Sequence, residues 1–161
     1  MAFSYRNSSI CSGGTLPVVY ATLITDPPPI EGQEFGHFCK IVINLINQRD
    51  FNFSSKEARH LRSRISPDWA CKMNCSPFTV SFEDQIEIWE QMTLEFPDVY
   101  FELLGVDCKI NEKQRTADVI MRTAMMRGGI KLLTACELKW KWSSGRWMWW
   151  YHSGMRGVYA T

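Results

Sequence analysis

The side chains able to move protons in this 161-residue chain gather toward its C-terminal end: Asp118 and Arg122 in one alternating segment, Glu137 and Lys139 in the next, His152 in a third. As a set they suit acid–base chemistry. A glutamate enclosed by aromatic and aliphatic neighbours is desolvated, which raises its pKa and lets it donate or accept a proton near neutral pH. His152 supplies a second proton-transfer group, tunable by a nearby carboxylate. Arg122, held by Asp118, stabilises an enolate or orients a carbonyl. Trp150, Ile120 and Trp89, with Trp69, Lys139 and His37, make the expected substrate-binding set, whose flat apolar walls suit a large unsaturated ligand.

Register decides whether these groups meet. A two-residue Ser144-Gly145 loop places Ser143 opposite Arg146, Glu137 opposite His152 and Lys139 opposite Trp150, whereas a three-residue bulged loop shifts that pairing. On the preceding segment Asp118, Ile120, Arg122 and Ala124 alternate away from Val119, Met121 and Met125. Two readings stay open. In one, Val119, Met121, Leu138, Trp140, Trp149 and Tyr151 face the core while Asp118, Arg122, Glu137, Lys139 and His152 face water. In the other the charged face, which also carries Ile120, Ala124, Leu133, Ala135 and Trp150, lines a chamber.

The elements that must position these residues follow from periodicity. Residues 1–30, rich in Ser, Gly, Thr and Pro and ending in Asp26-Pro27-Pro28-Pro29, read as a flexible N-terminal arm, dispensable for folding; residues 31–161 form a single domain. Phe35, Phe38, Ile41, Val42, Leu45 and Ile46 recur at helical spacing over 32–47. Ser54 or Ser55 caps a second helix carrying Ala58, Leu61 and Ile65, with Pro67 beyond its end, and 68–74 reads as a short extended segment. Ser81-Phe82-Glu83-Asp84 opens a third helix, striped by Phe82, Ile86, Trp89, Thr93 and Phe96 and stopped by Pro97. The period then changes to two over 99–106, 115–126, 130–142 and 146–155, with turns at Asn111-Glu112, Arg127-Gly128-Gly129 and Ser143-Ser144-Gly145. The expected class is α+β: three N-terminal helices packed on a strongly curved, mainly antiparallel sheet that forms a cone with an internal pocket.

That order, with "EFPDVYFELLGVDC", "RTADVIMRTAMMRGG" and the aromatic strand after "SSGRW", resembles the cone-shaped nuclear-transport-factor-2-like, or SnoaL-like, superfamily over about residues 32–156. Its enzymes include polyketide cyclases, steroid isomerases, scytalone dehydratase and fungal natural-product isomerases and cyclases. The resemblance implies a closed pocket under a helical lid, no cofactor, and pairing as a homodimer through the outer sheet face. In steroid-isomerase-like relatives the acid that bonds the substrate oxygen lies eight residues before the glycine of the final hairpin, which here is Glu137 before Gly145. Counting from Gly128 and Gly145 puts Arg122, Glu137 and His152 on the pocket side and leaves Trp140, Trp149 or Tyr151 for the subunit contact. The base those enzymes take from the strand after the second helix has no counterpart in 68–74, and Val42 stands near the place of their tyrosine.

Eighteen basic and seventeen acidic side chains leave a net charge of +1 without a basic run, so nucleic acid is not an expected partner. Apolar stretches such as 41–46 are too short to span a bilayer, and residues 1–30 lack a secretory pattern, so a cytoplasmic location is expected. The six cysteines read as reduced, buried thiols, and Cys71-x-x-x-Cys75 near His60 lacks the second ligand pair a zinc site needs. The expected function is therefore a cofactor-independent isomerase or cyclase acting on a bulky, apolar, carbonyl-bearing secondary metabolite: a polyketide, a meroterpenoid or an indole alkaloid. A scytalone-dehydratase-like dehydratase and a non-catalytic ligand-binding or dimerisation module are the alternatives.

Overall fold

The computed structural model describes residues 33–73 and 77–159, with side chains through Gly154. The N-terminal arm and Cys75 lie outside the described residues. Helix α1 (Gln33–Gln48) buries Phe35, Phe38, Cys39, Ile41, Val42, Leu45 and Ile46, the stripe its spacing predicts. Its end is fixed by hydrogen bonds rather than by apolar contact alone. Asn47 accepts from the Phe101 amide and donates to the Phe101 carbonyl, both at 2.8 Å. Arg49, in the left-handed region at φ 57°, donates to the carbonyls of Ile46, Asn47, Pro97 and Val99. Asp50 then accepts from the Ser54 and Ser55 amides. Ser55 in turn caps α2 (Lys56–Arg62) by accepting from Ala58.

Two expectations about element order need correction. The second helix stops at Arg62, and Ile65 begins a strand: β1 (Ile65–Met73) pairs with the short β2 (Thr79–Val80) before α3 (Phe82–Glu95) starts. The helices are therefore not all N-terminal to the sheet. Pro67 explains part of the difference, since it restricts Ser66 to extended backbone and breaks any helix that reached Ile65. The capping box at α3 is as its sequence suggests, with Ser81 accepting from the Asp84 amide and Asp84 from that of Ser81.

Strands β3 (Tyr100–Asn111), β4 (Thr116–Arg127), β5 (Ile130–Ser143) and β6 (Arg146–Tyr159) form an antiparallel meander. Gly128-Gly129 and Ser144-Gly145 take positive φ at both positions, the backbone that two-residue hairpin loops require. Strand β1 lies parallel to β6, giving one open sheet of six strands in the order β2-β1-β6-β5-β4-β3. The four strands expected after α3 are thus joined by two that precede it. Helix α1 packs on β3, and α3 packs on β1. Between them the inner sheet face carries the core of Val119, Met121, Leu138, Trp140, Trp147 and Trp149.

Candidate functional site

One backbone irregularity in β6 decides on which sheet face His152 lies. From the hairpin inward the pairs run Ser143 with Arg146, Trp142 with Trp147, Lys141 with Met148 and Trp140 with Trp149; the register then shifts, and Lys139 pairs with Tyr151, Leu138 with His152 and Glu137 with Ser153. Trp150 is the extra residue of a β-bulge. The hairpin loop is the two-residue form, so the shift arises in the strand and not in the turn. Trp149 helps hold it, its indole N–H donating to the Tyr151 carbonyl at 2.8 Å. Lysine ammonium groups sit over both outward rings, Lys141 at 5.8 Å from Trp150 and Lys139 at 5.9 Å from Tyr151.

The bulge overturns the expected pairing of Glu137 with His152. The two residues stand on opposite faces of the sheet. Glu137, with its side chain 30% exposed, lies 3.3 Å from Lys139, which also lies 3.6 Å from Asp118. Ile120 pairs with Glu137 in register on the same outer face. Arg122 reaches Asp107 at 3.2 Å instead of Asp118, its guanidinium lying across Gly105, where an added Cβ would come within 2.6 Å of it. Asp118, Glu137, Lys139 and Trp150 do come together, with Gln114, Thr116 and Tyr151, but around an open outer groove of about 510 Å³. The chamber-facing assignment of Arg122, Glu137 and Asp118 is therefore reversed. So is the subunit-contact assignment of Trp140 and Trp149, which are fully buried within the chain. His37 is exposed on α1, its ring 6.3 Å from Phe38.

The inner face holds the other half of the set. His152, 6% exposed, is surrounded by Trp149 at 5.6 Å and by Trp69 and Trp89, each at 6.2 Å between ring centroids. Trp69 and Trp89, expected from sequence as ligand-binding residues, thus meet His152 from β1 and α3. Phe82 completes the aromatic shell, 5.2 Å from Trp69 and 6.2 Å from Trp149. Burial pushes the His152 imidazole down to about 4, since desolvation disfavours the cation. Its Nδ1 is buried without a hydrogen-bond partner, as is the Trp69 indole N–H. Leaving a buried polar atom unpaired costs about 1–3 kcal/mol, and the Trp140, Trp147 and Trp150 indoles and Gln85 Oε1 are likewise buried without a partner.

Three neighbours of this site escaped sequence reasoning. Cys71 pairs in register with His152 and is fully buried; burial and the nearby Cys136 push its thiol up to about 12, so it stays protonated. Trp149 was read as part of a subunit contact. Gln85 is 2% exposed with an unpartnered Oε1, and it falls between Phe82 and Trp89 on the buried face of α3. A glutamine three residues after Phe82 and four before Trp89, inside an apolar stripe, was the available sign. The cysteines are only partly as expected: Cys39 and Cys71 are buried, Cys136 is half-buried and Cys108 is exposed. Among the described residues, no helix is long and apolar enough to cross a membrane.

No protein-family model matches the sequence, and no curated protein matches it either. Similarity appears in the fold. An NTF2-like protein of unknown function from Pseudomonas putida KT2440 superposes with a TM-score of 0.61 at 9% identity, covering 80% of this chain and 94% of its own. Hexachlorocyclohexane dehydrochlorinase LinA-type3 from Novosphingobium barchaimii LL02 gives 0.59 at 10% identity, covering 78% and 86%. A candidate dehydratase of the NTF2-like family from Streptomyces avermitilis gives 0.58 at 14%, covering 78% and 95%. The chain has the nuclear-transport-factor-2-like fold, in which a helical layer covers the inner face of a mostly antiparallel sheet.

Proposed function

We propose that this protein is a cofactor-independent acid–base enzyme that isomerises or cyclises a bulky, apolar, carbonyl-bearing metabolite, with His152 as its proton-transfer group. The observation that carries this reading is the buried, unpartnered Nδ1 of His152 among three tryptophans on the inner face. An imidazole pushed down to about 4 is neutral at pH 7 and free to accept a proton. It takes one from a carbon next to the substrate carbonyl; the C–H electron pair becomes a C=C bond as the carbonyl π pair moves onto oxygen, and the imidazolium returns the proton to the resulting enolate at a second carbon, or to the alkoxide formed when the enolate carbon closes a ring onto another carbonyl. The Trp69 indole N–H is an available donor for the developing oxyanion. Being a weak base, His152 suits strongly acidified C–H bonds. That a structurally similar protein is named a hexachlorocyclohexane dehydrochlorinase agrees with an apolar small molecule as the ligand class.

The test is hydrogen–deuterium exchange at the α-carbons of 2-tetralone in D2O, followed by proton NMR. The expected result is exchange above the buffer rate, reduced by about 10² in His152→Gln, the usual scale for losing a general base. Glu137→Gln should stay within about twofold, its ion pair lying on the solvent-facing side. Exchange that ignores His152→Gln but collapses in Glu137→Gln would return the chemistry to the outer groove.

A further inference from the structure

The bulge that sends His152 inward also leaves two aromatic rings side by side on the outer face. Consecutive residues of a regular strand face opposite sides, but Trp150 and Tyr151 share one, with ring centroids 5.7 Å apart at 45°. Both are half-buried, so part of each ring stays open to a ligand. They form one wall of the outer groove of about 510 Å³, a size within the roughly 300–1,000 Å³ that small-molecule sites occupy. Asp118, Glu137, Lys139, Thr116 and Gln114 line the rest.

The charges of this groove disfavour ligands of either sign. Lys139 stands between Asp118 at 3.6 Å and Glu137 at 3.3 Å, and Lys141 is held by Asp68 at 2.6 Å. The same two ammonium groups lie 5.9 Å from the Tyr151 ring and 5.8 Å from the Trp150 ring, so an organic cation meets like charge where it would stack. An anion meets the Asp118 and Glu137 carboxylates. A purely apolar molecule would strip water from those carboxylates and return no hydrogen bond. What remains is a mixed set of donors and acceptors beside flat apolar faces. Asp118, its side chain 52% exposed, accepts; Lys139 donates; the Thr116 hydroxyl does both; and Gln114, whose Oε1 accepts from Asn111 at 3.2 Å, keeps its amide nitrogen as a donor.

We propose that the outer groove binds a neutral oligosaccharide, its sugar rings laid on Trp150 and Tyr151 and its hydroxyls hydrogen-bonded to Asp118, Lys139, Thr116 and Gln114. A pyranose has both properties this lining calls for: a face of C–H bonds that packs on an aromatic ring, and a rim of hydroxyls that each donate and accept. Those hydroxyls donate to the Asp118 carboxylate and accept from Lys139 in charge-assisted hydrogen bonds, with no ligand charge to desolvate. The site lies on the opposite face of the sheet from His152 and is independent of the proton-transfer reading.

The experiment presents cellotetraose, maltotetraose and xylotetraose to the full chain, with contact read by saturation-transfer NMR and Kd by calorimetry. At least one is expected to show transfer to its ring C–H protons and a Kd below about 10 mM. Tyr151→Ala should weaken that binding about 3- to 10-fold, the scale of one lost aromatic contact, while Tyr151→Phe, which keeps the ring, should stay within about twofold. Asp118→Ala should weaken it about 5- to 10-fold through the lost acceptor. Melting temperature checks that each variant is folded. Transfer to none of the three sugars, or an affinity that ignores both Tyr151→Ala and Asp118→Ala, overturns the proposal. So does binding lost in His152→Gln and kept in both outer variants, which would put the sugar on the inner face. Tighter binding of phenethylamine than of any sugar would give the groove to a cation and overturn it as well.

Discussion

The two faces of β4, β5 and β6 are written by alternate residues of the same segments, yet they follow opposite electrostatic rules. On the outer face Arg122 pairs with Asp107, and Lys139 pairs with both Asp118 and Glu137, at 3.2–3.6 Å, with side chains from 30% to 63% exposed. Each charge has a partner, and water screens what remains. On the inner face Val119, Met121, Leu138, Trp140 and Trp149 exclude water, and His152 stays uncharged without a partner. The charged cluster attracts attention in a sequence because charges are conspicuous. The inner face carries the larger cost, because a polar atom that water cannot reach stays unsatisfied. A paired surface charge has already spent its interaction.

That contrast can be broken most directly at Trp149. It is fully buried and packs on Trp69, Trp140, Phe82 and His152, so Trp149→Ala should cost about 3–5 kcal/mol, read as a lowered urea midpoint. A loss below about 1 kcal/mol would show the aromatic shell to be loosely packed.

The next effect is a pH dependence carried by His152. The unfolded chain takes up a proton near pH 6.5, whereas the folded chain refuses it until about pH 4. Stability contributed by the neutral imidazole is therefore fully present above about pH 6.5 and falls as pH drops from there toward 4. The change is about 3 kcal/mol across that window. His152→Leu should flatten the pH 4–6.5 slope in urea denaturation while leaving the acid limb below it. An unchanged slope would place the imidazole in contact with water.

The smallest effect belongs to the outer face. Glu137→Gln should shift stability by no more than about 0.5 kcal/mol, and less in high salt. A larger loss would give the outer ion pairs a structural role they lack on these distances.

Much of the framework was legible before any coordinates. The stripe from Phe35 to Ile46, the Ser81 capping box, the Gly128-Gly129 turn and the Ser144-Gly145 loop are local features, fixed by helical period, by a side chain three residues from its amide, or by positive φ. Trp69, Trp89 and His152, all expected at the site, come together on the inner face. What could not be read was their company. Strand β1 reaches β6 across more than seventy residues of chain, so no local period announces that Cys71 stands beside His152. Gln85 was passed over because one polar residue scarcely disturbs an apolar stripe.

The sequence alone determined the alternation within each strand, and with it the fact that Glu137, Lys139 and Asp118 share a face. Only the tertiary structure decided which face His152 joins. A strand's side chains have a period of two, so a single extra residue reverses every assignment beyond it. That residue is Trp150, and it is accommodated where the Trp149 indole bonds the Tyr151 carbonyl and two lysines cover the outward rings. These contacts come from neighbouring positions and a neighbouring strand acting together, which is why counting along β6 from Gly145 sends His152 to the wrong side.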